Sequence, residues 1–169
     1  MKSLAFCVGL AAVTLYLLGY LQKKRTNIIV LNATSRVLYI IQYILLSAFE
    51  GAVLDVAGVV SSFLAQKKDT PLIKKRFKVF IGSNILIVAM GLLLYKNIFS
   101  ILPIIGVVLH TSAFWIDDEK IIRRVSLLGC PFWFVYNFVS EAYGSCIGDF
   151  LSMVSIAISM YRYDFKKIK

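Results

Sequence analysis

Apolar runs recur along the whole chain, separated by short polar breaks. They predict seven helices, roughly 4–20, 31–48, 51–65, 79–95, 98–115, 122–139 and 144–161. Several fall short of the ~20 residues that cross a ~30 Å hydrocarbon core, and the third, GAVLDVAGVVSSFLA, is the weakest on its own. No stretch has the alternation of a soluble domain, so the fold class expected is an all-α membrane protein, with 1–169 as a single integral membrane domain. The first run, LAFCVGLAAVTLYLLGY, is read as a membrane helix and not as a cleaved secretory signal. Only Lys2 precedes it, Lys23, Lys24 and Arg25 follow it, and no small-x-small cleavage site is present.

Composition agrees with that pattern. The chain is 59% hydrophobic and 17% charged, with mean hydropathy +0.79, against about 45–50% and about 25% for soluble domains. A net charge of +10 raises the possibility of nucleic acid. The basic residues, however, fall in clusters between apolar runs, which fits membrane topology and no nucleic-acid partner. Lys23, Lys24 and Arg25, six residues from Lys67 to Lys78, then Lys120, Arg123 and Arg124, and finally Arg162, Lys166, Lys167 and Lys169 make sixteen of the 19. All would share one face if seven helices alternate in direction. Since cytoplasmic loops retain Lys and Arg, the N-terminus is expected outside and the C-terminus in the cytoplasm. Arg36 is expected to snorkel from near the inner end of the second helix.

An internal repeat follows from sliding the chain by 94 positions. YIIQYILLSAFEGAVLDVAGVVS (39–61) then lies on WFVYNFVSEAYGSCIGDFLSMVS (133–155), with four identities in twenty-three, among them Asp55 on Asp149. The same shift carries the first, second and third helices onto the fifth, sixth and seventh. Three helices per unit is odd, so one linking helix is needed to keep two units parallel. The expectation is a 3-1-3 arrangement of two parallel three-helix bundles, about 4–65 and 98–161, joined by a linking helix at about 79–95 and closed by a basic tail, 162–169. Transporters built from parallel repeats hold their substrate between the units near mid-membrane.

The run SILPIIGVV, the basic IIRR, then WFVYNF, a short turn, the acid Asp149 and the closing YRY resemble the YgjV family of bacterial inner-membrane proteins. The resemblance covers the chain from about Leu31 onward and is more specific in its C-terminal half. It implies a His-Asn pair where this chain has Tyr136-Asn137, so Asn137 matches and the histidine does not. That family is distantly similar to the SWEET sugar facilitators, PQ-loop proteins and PnuC-type nicotinamide riboside transporters, which implies the 3-1-3 fold but assigns no substrate.

Candidate chemistry lies in the polar residues inside apolar runs. Asn137, flanked by Trp133 and Tyr136, offers two donors and an acceptor to a polar solute, or serves as interhelical glue. Gln42 and Tyr43 hold the matching places in the first unit. Asp55 and Asp149 are a repeat-related pair that could line an outer approach. Equally, they could be carboxylates near a helix N-terminus within reach of headgroup water. Trp133, Tyr136 and Tyr39 could stack on a sugar or base, or belong to an aromatic belt. Pro131 and Pro103 are candidate hinges, because proline removes a helical hydrogen bond. His110 and Asn84 are read as packing residues, and Asp117, Asp118 and Glu119 as a solvated turn able to pair with Lys120 or Arg124.

No nucleophile elbow, phosphate-binding glycine loop or metal-ligand spacing occurs, so neither catalysis nor a cofactor or metal is expected. The expected function is carriage of a small polar solute across the bilayer by facilitated diffusion, through rocking of one three-helix unit against the other. A non-transporting 3-1-3 receptor or scaffold is the other class. Oligomeric state is left open.

Overall fold

The computed structural model describes residues 2–165 apart from 72 and 74. Lys74 and the tail residues Lys166, Lys167 and Lys169, counted above among the cytoplasmic basic residues, lie outside the described residues. The helices are α1 (Lys2–Tyr20), α2 (Arg25–Leu45), α3 (Phe49–Gln66), α4 (Arg76–Leu93), α5 (Ile101–Phe114), α6 (Glu119–Val139) and α7 (Tyr143–Met160). A 3-10 turn, Ile98–Ser100, leads into α5, and a π-helical turn, Tyr161–Phe165, follows α7. Helices α1 to α4 and α7 are long and apolar enough to cross a bilayer. With its 3-10 turn, α5 is a shorter apolar helix over 98–114. Helix α6 has 21 residues, but its first two turns hold Glu119, Lys120, Arg123 and Arg124.

Helix boundaries shift from the sequence pattern by up to six residues. Helix α2 begins at Arg25 and not at 31, and α6 begins at Glu119 and not at 122. Both opening turns are polar, so an apolar-run criterion misses them although they wind normally. Asp118 caps α6 by accepting the Lys120 N–H at 2.8 Å, satisfying one of the donors a helix start leaves free.

Helices α2 and α6 end alike. Ser47 and Glu141 adopt left-handed backbone, with φ of 58° and 57°. Around the first, the Ala48 N–H donates to the Tyr43 carbonyl at 2.9 Å and the Ser47 N–H to that of Ile44 at 3.1 Å. Around the second, Ala142 donates to Asn137 at 2.9 Å and Glu141 to Phe138 at 3.2 Å. This is the Schellman arrangement, which usually uses glycine. It turns the chain within three residues, so α3 and α7 return directly along α2 and α6.

In cross-section α1 packs on α2, α2 on α3, α3 on α5, α5 on α6, α6 on α7, and α7 on α1, closing a ring. Helix α4 lies outside it against α3 and α5, and buries only Ile87 and Gly91. Large apolar side chains cover the outside, with Leu93 85% and Phe77 69% exposed. Lipid tails accept such a coat, whereas a soluble monomer rarely shows one. Two apolar cores fill the interior. One gathers around Tyr43, Leu54, Val107 and Trp133, the other around Tyr20, Ile28, Phe114 and Ile122.

Candidate functional site

Polar side chains that the ring buries converge between these cores on a cavity of about 20 Å³, roughly room for one water molecule. It is lined from α2 by Arg36, Tyr39 and Tyr43, from α3 by Asp55, from α6 by Trp133 and Asn137, and from α7 by Asp149. Tyr16 of α1 and His110 of α5 complete the wall. Six of the eight side chains proposed from sequence as a binding set, Tyr39, Tyr43, Trp133, Asn137, Asp55 and Asp149, therefore share one cavity.

The other two lie elsewhere. Gln42 accepts a hydrogen bond from the Ser145 hydroxyl at 2.6 Å and faces a separate outer cavity of about 570 Å³, together with Cys7 and Glu141. The Tyr136 hydroxyl accepts the Gly51 N–H at 3.1 Å. That bond ties α6 to the first turn of α3, in the place where the family resemblance implies a histidine.

Around the cavity the polar groups are already bonded. Tyr43 Oη donates to Asn137 Oδ1 at 2.7 Å, and Asn137 Nδ2 donates to Asp149 Oδ2 at 2.8 Å. His110 Nε2 donates to the Ser126 carbonyl at 2.9 Å, leaving Nδ1 to accept from the Tyr16 hydroxyl at 3.2 Å. Aromatic rings pack beside these bonds. Tyr39 and Trp133 each stack with Tyr43 at centroid separations of 6.3 Å, in the range where aromatic pairs attract. The indole fits because position 106 is glycine: a Cβ there would lie 2.6 Å from Trp133 Cδ1.

Arg36 does not snorkel. It is 3% exposed and donates from Nη1 to Asp55 Oδ1 at 2.6 Å and from Nε to Asn32 Oδ1 at 3.0 Å. Starting α2 at Arg25 puts Arg36 eleven residues in, about 16 Å along the axis, too deep to reach an interface. Gly58 makes room, since a Cβ there would meet the guanidinium at 2.5 Å. Asp55, for which reach to headgroup water was one of two readings, is 3% exposed and held in this ion pair.

At the N-terminal end of α2, Arg25 donates to the carbonyls of Ile116 at 3.0 Å and Ala65 at 2.9 Å, and also to that of Phe114. It thereby supplies donors that the C-terminal ends of α3 and α5 lack. The acidic turn pairs differently from expectation: Asp117 binds Lys68, and Lys68 also donates to the Trp115 carbonyl at 2.7 Å. Arg123 pairs with Asp164 beyond α7. Pro131 lies inside α6, whereas Pro103 stands in the first turn of α5.

A family model described as a bacterial inner membrane protein, Imp-YgjV, matches residues 3–167. The chain belongs to the Imp-YgjV family. No curated protein and no solved structure matches it. Membership gives the buried polar centre of this Imp-YgjV protein its setting, because an inner membrane protein offers these groups no bulk water. Each must then find its partner inside the ring or in something that enters the cavity. The sequence had singled out neither Arg36 nor Tyr16 as part of this centre. Arg36 stood too near the expected start of the second helix to read as deep, and no local spacing announced Tyr16.

Proposed function

We propose that this Imp-YgjV protein is a carrier that moves a small polar solute across the bacterial inner membrane by rocking two three-helix units. The observation that carries the reading is the polar, aromatic-lined cavity between α1–α3 and α5–α7, around which the Tyr43–Asn137–Asp149 chain of hydrogen bonds crosses from one half to the other.

Duplication is supported by positions. The bounds of α2 and α6, and those of α3 and α7, differ by 94 at both ends. Tyr16–His110 and Tyr43–Asn137 are bonded pairs with that same separation. The neighbour relations obey it too, with α1 on α7 answered by α5 on α3. Two parallel units, with α4 as the link, account for all three. The 3-1-3 plan of SWEET-like carriers, with the N-terminus outside and the C-terminus in the cytoplasm, is the corresponding proposal for topology. In it the Gln42–Ser145 bond lies toward the outside, and the cluster of Tyr20, Phe114 and Ile122 lies toward the inside.

A second reading, a non-transporting receptor or scaffold, is favoured by one observation: Asn137 and Gln42 are already bonded to neighbouring helices. Uptake into proteoliposomes across a panel of sugars, nucleosides and vitamins separates the two. The carrier reading expects flux of at least one solute, reduced at least tenfold in Asn137→Ala. Absence of flux across the panel favours the scaffold, and equal flux in both proteins removes Asn137 from the mechanism.

A further inference from the structure

The central cavity carries an unbalanced charge. Three side chains that would each carry a charge in water line it, Arg36, Asp55 and Asp149. The first two neutralise each other at 2.6 Å, and Asn32 occupies the guanidinium Nε. Asp149 receives the neutral amide of Asn137 at 2.8 Å, and among the described residues no basic side chain lies within ion-pair distance of it. The groups that could titrate around it are Tyr16 on α1, Tyr39 and Tyr43 on α2, Asp55 on α3, His110 on α5, Cys130 on α6 and Cys146 on α7 itself. None of these supplies a positive charge at neutral pH. His110 is saturated as a neutral imidazole, with one nitrogen donating and the other accepting, and protonating it would set a second cation beside Arg36.

Asp149 is half-buried, and a carboxylate without a cationic partner inside a membrane-spanning bundle is unfavourable. Adding one positive charge removes the imbalance. With the cavity at its present size, that charge is a proton on Asp149. In an enlarged cavity it is the head of a solute, and the surrounding groups specify which kind. Tyr39, Tyr43 and Trp133 present ring faces, which attract organic cations. Among the described residues no group of three or more His, Cys, Asp or Glu side chains is placed to hold a metal ion.

We propose that Asp149 is the counter-ion of a monovalent organic cation, and that the empty carrier holds a proton there instead. When the cation enters, the carboxyl O–H bond breaks, its electron pair stays on Asp149, and the proton leaves to the solution on that side. Release of the cation on the far side is accompanied by uptake of one proton there. One positive charge crosses in each direction, and no net charge moves. The exchange rests on the carrier reading above, whereas the proton site does not.

The test uses full-length protein in lipid nanodiscs with Trp115→Phe, which leaves Trp133 as the remaining one of two tryptophans. Trp133 emission against pH is expected to show a one-proton transition that is absent in Asp149→Asn and restored in Asp149→Glu. Choline, tetramethylammonium and guanidinium are then added in turn, with sorbitol as the neutral comparison. At least one cation should move the midpoint to lower pH, by about one unit per tenfold rise above its own dissociation constant, and reciprocally release protons. Sorbitol should move nothing. A measurement without any variant backs this up: in weak buffer, native protein should release up to one proton per chain when that cation binds, read with a pH dye. An unchanged transition in Asp149→Asn overturns the site, as does loss of the transition in His110→Gln alone. If no cation shifts the midpoint or releases protons, the exchange is overturned. A proton transition with cation binding but no choline or tetramethylammonium uptake into liposomes sinks the carrier reading and leaves Asp149 as a cation site.

Discussion

Tyr43 donates its hydroxyl hydrogen to Asn137 at 2.7 Å across the middle of the bundle, and the two residues stand 94 positions apart. Tyr16 and His110 meet at 3.2 Å with the same separation. A two-fold axis along the membrane normal brings equivalent positions face to face, so the proposed duplication requires contacts of this kind along its axis. It does not require the paired residues to be identical, only complementary, as a phenol is to an amide or an imidazole.

Asn137→Ala leaves the Tyr43 hydroxyl without its acceptor and Asp149 without its donor. The expected cost is about 1–3 kcal/mol, read as a melting temperature lower by roughly 2–10 °C. In a double-mutant cycle with Tyr43→Phe, the coupling should be about 0.6 kcal/mol, the average for such bonds between membrane helices. A coupling of zero would show that the pair is in contact without interacting.

The Arg36–Asp55 pair gives a larger and asymmetric effect. Arg36→Met strands a buried carboxylate and should lower stability by about 3–5 kcal/mol. Adding Asp55→Leu should recover most of that loss, since an apolar pair of similar volume avoids the desolvation of both charges. Thermal unfolding of the two variants in one detergent tests this, and a double variant no better than the single one would contradict it.

Arg25→Ala removes the donors that serve the carbonyls of Ala65, Phe114 and Ile116. A loss of about 1–3 kcal/mol is expected, concentrated at the C-terminal ends of α3 and α5. Hydrogen exchange should quicken around 113–118 while the outer halves of the helices keep their protection. Arg25→Lys should restore only part of the effect, because one ammonium cannot reproduce the planar fork.

Cys7 is exposed, whereas Cys130 and Cys146 are buried. Cys7 also faces the outer cavity. A membrane-impermeant maleimide should therefore label Cys7 in intact cells and spare the other two. Labelling that appears only after the membrane is opened would reverse the proposed orientation.

Outside the spans, the hydrogen bond from Lys68 holds the Asp117 carboxyl below the usual carboxylate range. A folded value below the unfolded one means that the stabilisation is complete at neutral pH. It is lost as the pH falls through the depressed value. Asp117 is 72% exposed, so the effect should be at most ~1 kcal/mol. Melting temperatures of native protein and Asp117→Asn should differ at neutral pH and converge in acid.

Seven helices were legible because lipid demands apolar length, and that signal is strong in α1, α4 and α7. What failed was the start of α2. A beginning at 31 put Arg36 within snorkelling reach, and the polar residues Arg25, Thr26 and Asn27 gave no sign of a helix. Their turn forms because Arg25 points back to the ends of α3 and α5, a relation between residues 40 and 89 positions apart. Asp55 had the same difficulty: its partner lies on the antiparallel neighbour, 19 residues earlier, and no local spacing announces it. The turns at Ser47 and Glu141 were equally silent, because neither residue is the glycine that usually marks left-handed backbone.

Helix α4 braces one junction of the ring and not the other. It lies over α3 and α5, where the chain also passes from one half to the next, while α1 and α7 touch with no connection between them. In the proposed two-unit arrangement the halves are bound like a book, with α4 as its spine and the α1–α7 contact as its fore-edge. Any parting must swing on the spine and gape at the fore-edge, so a distance probe across α1 and α7 will register several times the displacement of one across α3 and α5.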